Sequence, residues 1–221
     1  MKNFYLKFQI FSRFPLWRNY LKKVYTSAKL DQRKFNIELI SKRKTFTVLL
    51  SGVASEITAD EFIKAVLLER SDAKLKIIDL GSEQVNSVKK LVEKRYKHID
   101  VEVRQANALN LNFIKDKSID WIDTDGFFGF FDEEKLTELL HEWKRILKDD
   151  GFITFRELIP QSLLGEVVDR VRAVGAKLYM GIDFNKHTVF ELKNDFKKLG
   201  FAYSWSSGFI PFFSRFCLVK K

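Results

Sequence analysis

Residues 47–56, with residues 76–80 behind them, constrain this chain more than any other part of it. The apolar run Thr47-Val48-Leu49-Leu50 stops at the small-residue loop Ser51-Gly52-Val53-Ala54-Ser55-Glu56, and after a helical pattern the second run Lys76-Ile77-Ile78 stops at Asp79-Leu80. A buried strand, a loop, a helix and a second strand ended by an acid are the parts of a nucleoside-binding βαβ unit. Glycine lets the backbone approach a ligand at the helix start, and a carboxylate on the neighbouring strand accepts hydrogen bonds from the two hydroxyls of a ribose. For the helix between them, Thr58-Ala59-Asp60-Glu61 reads as a capping box, with Phe62, Ala65, Val66 and Glu69 on one face.

Further elements follow in order. A third strand, Val101-Glu102-Val103-Arg104, leads into Gln105-Ala106-Asn107-Ala108-Leu109-Asn110-Leu111. A fourth, Ser118-Ile119-Asp120-Trp121-Ile122-Asp123, runs into Thr124-Asp125-Gly126-Phe127-Phe128-Gly129. Asp132 opens a helix with an apolar stripe of Leu136, Leu139, Leu140, Trp143, Ile146 and Leu147. Asp149-Asp150-Gly151 reads as a turn before Phe152-Ile153-Thr154-Phe155. Thr188-Val189-Phe190-Glu191 is a second capping box for a helix ending at Gly200, and two closing strands hold Phe201-Ala202-Tyr203 and Phe216-Cys217-Leu218-Val219.

This succession resembles the class I S-adenosylmethionine-dependent methyltransferases. The resemblance implies an α/β, Rossmann-like three-layer sandwich over residues 46–221, its seven-stranded, mostly parallel sheet carrying an antiparallel last strand, with residues 1–45 as an N-terminal helical cap. It implies S-adenosylmethionine as cofactor, held by Ser51, Gly52 and Ala54 in the first loop, Asp79 and Leu80 at the ribose, Asn107 and Ala108 at the adenine, and Asp123 beyond them. The family's glycine motif is degenerate here: Leu50 stands at its acid, Gly52 at the first glycine, Ala54 at the second and Glu56 at the third. Two functions follow, methyl transfer to a small-molecule acceptor, or a catalytically inactive binding or regulatory module of the same fold whose basic N-terminus engages an anionic partner.

Methyl transfer needs mainly alignment of the acceptor with an activated methyl group. Asp123 and Asp125, after the fourth strand, are the residues expected to orient an acceptor hydroxyl or amine, against the plainer reading of two turn-forming acids. Phe127, Phe128, Phe130 and Phe131 wall an aromatic substrate or fill core. Arg156 and Glu157 lie where substrate contacts are often found, or form an ion pair at a strand end.

The positive charge is concentrated. Residues 1–45 carry 12 Lys/Arg and 2 Asp/Glu, whereas residues 46–221 carry 27 of each sign, so the whole net charge of +10 lies in the N-terminal segment. There Trp17, Tyr20, Leu21 and Val24 recur at helical spacing, Arg18, Lys22 and Lys23 take other positions around the turn, and Phe4, Phe8, Phe11 and Phe14 precede them. Three readings stay open: a lid over the cofactor cleft, a contact with an anionic lipid surface, and a nucleic-acid contact through phosphates and stacked bases.

Composition removes other classes. With 221 residues, 46% of them hydrophobic and 22 of them phenylalanine, the chain can bury a full α/β core. The one cysteine, Cys217, excludes an internal disulfide framework and multi-cysteine metal sites and reads as a buried strand thiol; His98, His141 and His187 have no metal-ligand spacing, so no metal is expected. The N-terminus lacks a secretory apolar region and no stretch reaches the roughly 20 apolar residues of a spanning helix, which points to a cytoplasmic protein, peripheral to a membrane if the lipid reading holds. There is no phosphate-binding Gly-Lys-Ser/Thr loop, no Gly-x-Ser-x-Gly elbow and no Asn-Pro-Pro-aromatic pattern of base-modifying methyltransferases. A nicotinamide-dependent oxidoreductase fits less well, because a pyrophosphate requires closer backbone approach than one glycine provides.

Overall fold

All seven stretches expected to be strands form strands, and the topology follows from how they are connected. The computed structural model describes residues 14–35, 44–160, 162–181, 183–209 and 213–220. Helix α1 (Pro15–Arg33) precedes β1 (Thr47–Ser51), α2 (Glu56–Glu69), β2 (Lys74–Asp79), α3 (Ser82–Arg95), β3 (Val101–Gln105) and β4 (Ile119–Asp125). After a short 3-10 turn at Phe128–Phe130 come α4 (Glu133–Ile146), β5 (Leu147–Leu158), α5 (Leu163–Met180), α6 (Val189–Lys198), β6 (Phe201–Ser207) and β7 (Phe213–Lys220). The sheet order is β3-β2-β1-β4-β5-β7-β6. Pairing is parallel from β3 through β5, and β7 runs antiparallel to both β5 and β6. This is the expected Rossmann-like sheet with its antiparallel last strand. The strand order reverses at β1, between β2 and β4, and the carboxyl ends of the strands at such a reversal are where open α/β sheets form their ligand crevice.

Aromatic side chains fill both faces of the sheet. On one, Phe155 stacks between Phe128 (4.3 Å) and Phe216 (4.8 Å), with the buried stripe of α4, including Leu139 and Trp143, over them. Asp132 caps α4 by accepting from the Lys135 N–H at 2.9 Å. On the other face Trp121 stacks on Phe152 at 5.5 Å, beneath Phe62 of α2. There α1 is a core element: Tyr20, Leu21, Val24, Tyr25 and Ala28 are buried, while Lys22 and Lys23 face solvent. The spacing of Trp17, Tyr20, Leu21 and Val24 therefore does mark a helix, whereas Phe4, Phe8 and Phe11 lie outside the described residues.

Two local expectations are corrected, and one helix was not expected. Helix α2 starts at Glu56 rather than after Thr58, because the Ser55 carbonyl already accepts from the N–H groups of Thr58 and Ala59. Asp149, Asp150 and Gly151 lie within the 12-residue strand β5, whose pairing to β4 shifts between Ile119 and Trp121, so a bulge stands where a turn was expected. Helix α5 has no counterpart in the sequence reading. The second capping box forms as expected, with Thr188 and Glu191 each accepting from the other's backbone N–H. Among the described residues no helix is long and apolar enough to cross a membrane, and no three His, Cys, Asp or Glu side chains gather as metal ligands.

Because Leu21 is fully buried, Leu21→Ala is expected to lower unfolding free energy by about 2–5 kcal/mol. Urea denaturation checks this; a loss below about 0.5 kcal/mol, the range of surface substitutions, would mean that α1 is not part of the core.

Candidate functional site at the carboxyl ends of the strands

The loops after β1 and β2 are tied together by one carboxylate. Asp79 ends β2 with 8% of its surface exposed; its Oδ2 accepts from the Val53 N–H and its Oδ1 from the Gly81 N–H, each at 2.7 Å. Burial raises its pKa, and the backbone donors oppose the rise. Each oxygen keeps a lone pair after these bonds. Gly52 turns the chain at φ +81°, a left-handed conformation that favours glycine, and donates to the Ile78 carbonyl at 3.0 Å. A Cβ added there would stand 2.8 Å from the Phe127 ring, so Phe127 packs directly over the glycine turn.

The other residues expected at a cofactor lie around the same crevice. Ser51 and Ala54 flank the turn, Leu80 is 60% exposed beside Asp79, and the Ala106 N–H donates to the Asp79 carbonyl at 3.0 Å, bringing the segment after β3 alongside. There Asn107 is exposed, its Oδ1 accepting from the Leu109 N–H at 3.1 Å, and Ala108 is buried. Glu56 is turned out of the loop, accepting a hydrogen bond from the Ser87 hydroxyl of α3. Five buried polar atoms in these loops and the helices they open have no hydrogen-bond partner: Ser51 Oγ, Ser55 Oγ, Thr58 Oγ1, and both Gln84 Oε1 and Nε2. Each such atom costs about 1–3 kcal/mol unless something polar meets it. A polar ligand in the crevice would supply that partner, so these residues fit a nucleoside-bearing cofactor.

Next to the crevice, Asp123 is fully buried and both its oxygens are engaged. Arg156 clamps it with Nη1 at 2.6 Å and Nη2 at 2.7 Å, and the Thr154 hydroxyl donates to Oδ2 while accepting from Trp121 Nε1 at 2.7 Å. Asp125, two residues on and so on the same face, accepts from the Tyr20 hydroxyl of α1 at 3.2 Å and lies 3.8 Å from Arg156 Nε. Its Oδ2, Arg156 Nε and the Tyr25 hydroxyl are buried without a hydrogen-bond partner. Burial pushes the Asp125 carboxyl up to about 6, Arg156 opposing and Asp123 adding to it. Of the two acids, only Asp125 keeps an unengaged oxygen.

Arg156 and Glu157 do not pair with each other, because successive strand residues point to opposite faces. Glu157 accepts from the Phe128 N–H at 2.9 Å on the far face, and burial pushes its carboxyl up to about 7 while Arg172 pulls it down. His187 fixes the same loop: its Nε2 lies 3.1 Å from the Phe128 carbonyl and 3.0 Å from that of Phe131, so this nitrogen carries the proton. Sequence reasoning missed Gln84, Tyr20, Tyr25 and His187 as members of this region. The two tyrosines sit on the apolar stripe of α1, where only the hydroxyl distinguishes them from core phenylalanine.

Residues 58–151 match the family model described as a methyltransferase domain. Among solved structures, a Thermotoga maritima protein described as an S-adenosylmethionine-dependent methyltransferase and possible histamine N-methyltransferase is 16% identical, with 100% of this chain and 99% of that one covered and a TM-score of 0.64. Magnesium protoporphyrin IX methyltransferase from Synechocystis, solved with bound S-adenosylhomocysteine, is 10% identical over 91% of this chain and 83% of its own, with a TM-score of 0.62. An Aquifex aeolicus S-adenosylmethionine-dependent methyltransferase is 16% identical over 91% and 98%, with a TM-score of 0.58. At these identities the likeness is one of fold. No curated protein matches the chain significantly.

A carboxyl whose pKa is higher folded than unfolded makes the folded state bind more protons, so its stabilising contribution is complete below the unfolded value and is lost as pH rises through the folded one. For Glu157 that window runs from the ordinary glutamate range up to about 7. Glu157→Gln, which keeps an acceptor for Phe128, is expected to flatten the fall in melting temperature between about pH 5 and about pH 8; a curve identical to that of the unaltered protein would contradict the assignment.

Proposed function

With residues 58–151 forming a methyltransferase domain within a class I methyltransferase fold, we propose that this protein transfers a methyl group from S-adenosylmethionine to a small-molecule acceptor. The observation that carries the reading is Asp79, an acid at the end of β2 with spare lone pairs, beside loops whose buried polar atoms lack partners.

On this reading Asp79 holds the ribose hydroxyls, Leu80 and Ala108 give the adenine apolar surface, Asn107 accepts from its amino group, and Ser51, Gly52 and Ala54 lie along the methionine end. Gln84 adds a donor and an acceptor. The bound cofactor supplies an activated methyl on a positively charged sulfur. Asp123 acts by fixing Arg156 and, through it, the place of Asp125. With its carboxyl at about 6, Asp125 is mostly ionised at neutral pH, and its open oxygen suits it to hold a hydrogen of the acceptor.

One observation favours the inactive binding module instead: the Phe127 ring already lies against Gly52, where the cofactor's methionine end is expected. Titration calorimetry with S-adenosylmethionine and S-adenosylhomocysteine, with NAD as control, separates the readings. Binding with a Kd of about 1–100 μM, weakened at least about tenfold in Asp79→Asn, is the expected result. No binding by the folded protein, with binding regained only in Phe127→Ala, would favour the module.

A further inference from the structure

Helix α5 has its amphipathicity inverted. On its inner side buried Asp169 holds Arg172 at 2.8 Å and Lys186 at 3.9 Å beside Gly165 and Ala176, while Lys177 pairs with Asp183 at 2.9 Å on the exposed side. Its large apolar residues point to solvent. Leu163, Leu164, Val167, Val171, Val174 and Leu178 are 57–85% exposed. At 100° per residue they fill a continuous arc, which the half-exposed Val168 widens, and Arg170, then Lys177 and Glu166, follow along one border. A contiguous apolar patch of this kind on a protein surface marks an interaction.

Two occupants compete for this face. Leu164, Val167, Val171, Val174 and Leu178 follow the 3-4 spacing of a coiled-coil seam, as a second copy would use. The flanks argue against it. In a parallel pair Arg170 would face Gly175 of the other helix, with no acid to meet it, in an antiparallel pair the two basic flanks would face each other, and the apolar arc is wider than a two-residue seam. Each copy also carries a net charge of +10. Those charges, which lie in residues 1–45, repel a second copy and draw the chain to an anionic lipid surface, into which an apolar arc edged by Arg170 can be laid.

We propose that α5 lays its outward apolar arc into the surface of an anionic phospholipid bilayer. The face adjoins the site without depending on it. Arg172 of α5 lies 4.5 Å from the Phe184 ring, which packs on Phe130 at 5.1 Å. Docking there leaves the cofactor-binding reading untouched and is tested without ligand.

The test is co-sedimentation of the full chain with phosphatidylcholine vesicles, with and without about one third phosphatidylglycerol, alongside the double variant Val171→Glu/Leu178→Glu and the variant Lys94→Glu, which removes the same net charge from the exposed end of α3. Both altered α5 positions are exposed, and circular dichroism verifies that the variants are folded. Expected are binding to the anionic vesicles only, a loss of at least about tenfold in Val171→Glu/Leu178→Glu, and a change of less than about threefold in Lys94→Glu. Failure of the unaltered protein to bind, or equal weakening in the two variants, would overturn the proposal. So would light scattering showing a dimer that the Val171→Glu/Leu178→Glu change dissociates, which would make the arc an interface between copies.

Discussion

A guanidinium buried at the carboxyl edge of the sheet has to be met by carboxylates, and this requirement organises the end of the molecule where the candidate site lies. An unpaired charge in such a place costs several kcal/mol, so Arg156 is retained only because Asp123 and Asp125 stand opposite it. Strand register delivers them: Asp123 pairs with Thr154 and Asp125 with Arg156 across β4 and β5. A one-residue slip would send Arg156 to the far face, among Phe128 and Phe155. Helix α1 closes the cluster, with the Tyr20 hydroxyl on Asp125, the Tyr25 ring 5.4 Å from the guanidinium carbon, and Asp31 holding Arg215 at 3.0 Å farther along. The helix from the most basic segment of the chain is thereby held by its own tyrosines and an acid.

The same pairing divides the labour of the site. With both Asp123 oxygens spent on Arg156 and Thr154, the polar capacity left beside the crevice is one oxygen of Asp125, Arg156 Nε and the Tyr25 hydroxyl. On the other side of the glycine turn Asp79 binds two loops through their backbones, which lessens the need for further glycines. Gly52 alone takes a positive φ there, and the charge at Glu56 is drawn off to Ser87.

Strands and their succession along the chain were legible because a parallel sheet buries both faces and writes strands as apolar runs, as at Thr47–Ser51. Helix starts were legible only where the capping side chains bond as their spacing suggests. Thr188 and Glu191 do; Thr58 and Glu61 have the same spacing, but the chain leaving Gly52 enters the helix at Ser55, and Glu61 pairs with Lys64 and Arg18 instead. Helix α5 escaped notice because its apolar residues follow helical spacing with no buried partner, and Gly165 and Gly175 interrupt them. Placement of Asp79 at the end of β2 was readable from one acid after one run, whereas the commitment of Asp123 to Arg156 depends on a contact 33 residues away in sequence, which no local pattern records.

The most direct measurement of the central constraint is a double-mutant cycle on that pair, with denaturant unfolding of Arg156→Met, Asp123→Leu and the two combined. If the buried guanidinium is held by its carboxylate, Arg156→Met alone loses about 3–5 kcal/mol and the double variant regains part of that loss, because Asp123 is then not left without its cation and only Asp125 remains. Losses that simply add, leaving the double variant the least stable of the three, would contradict it.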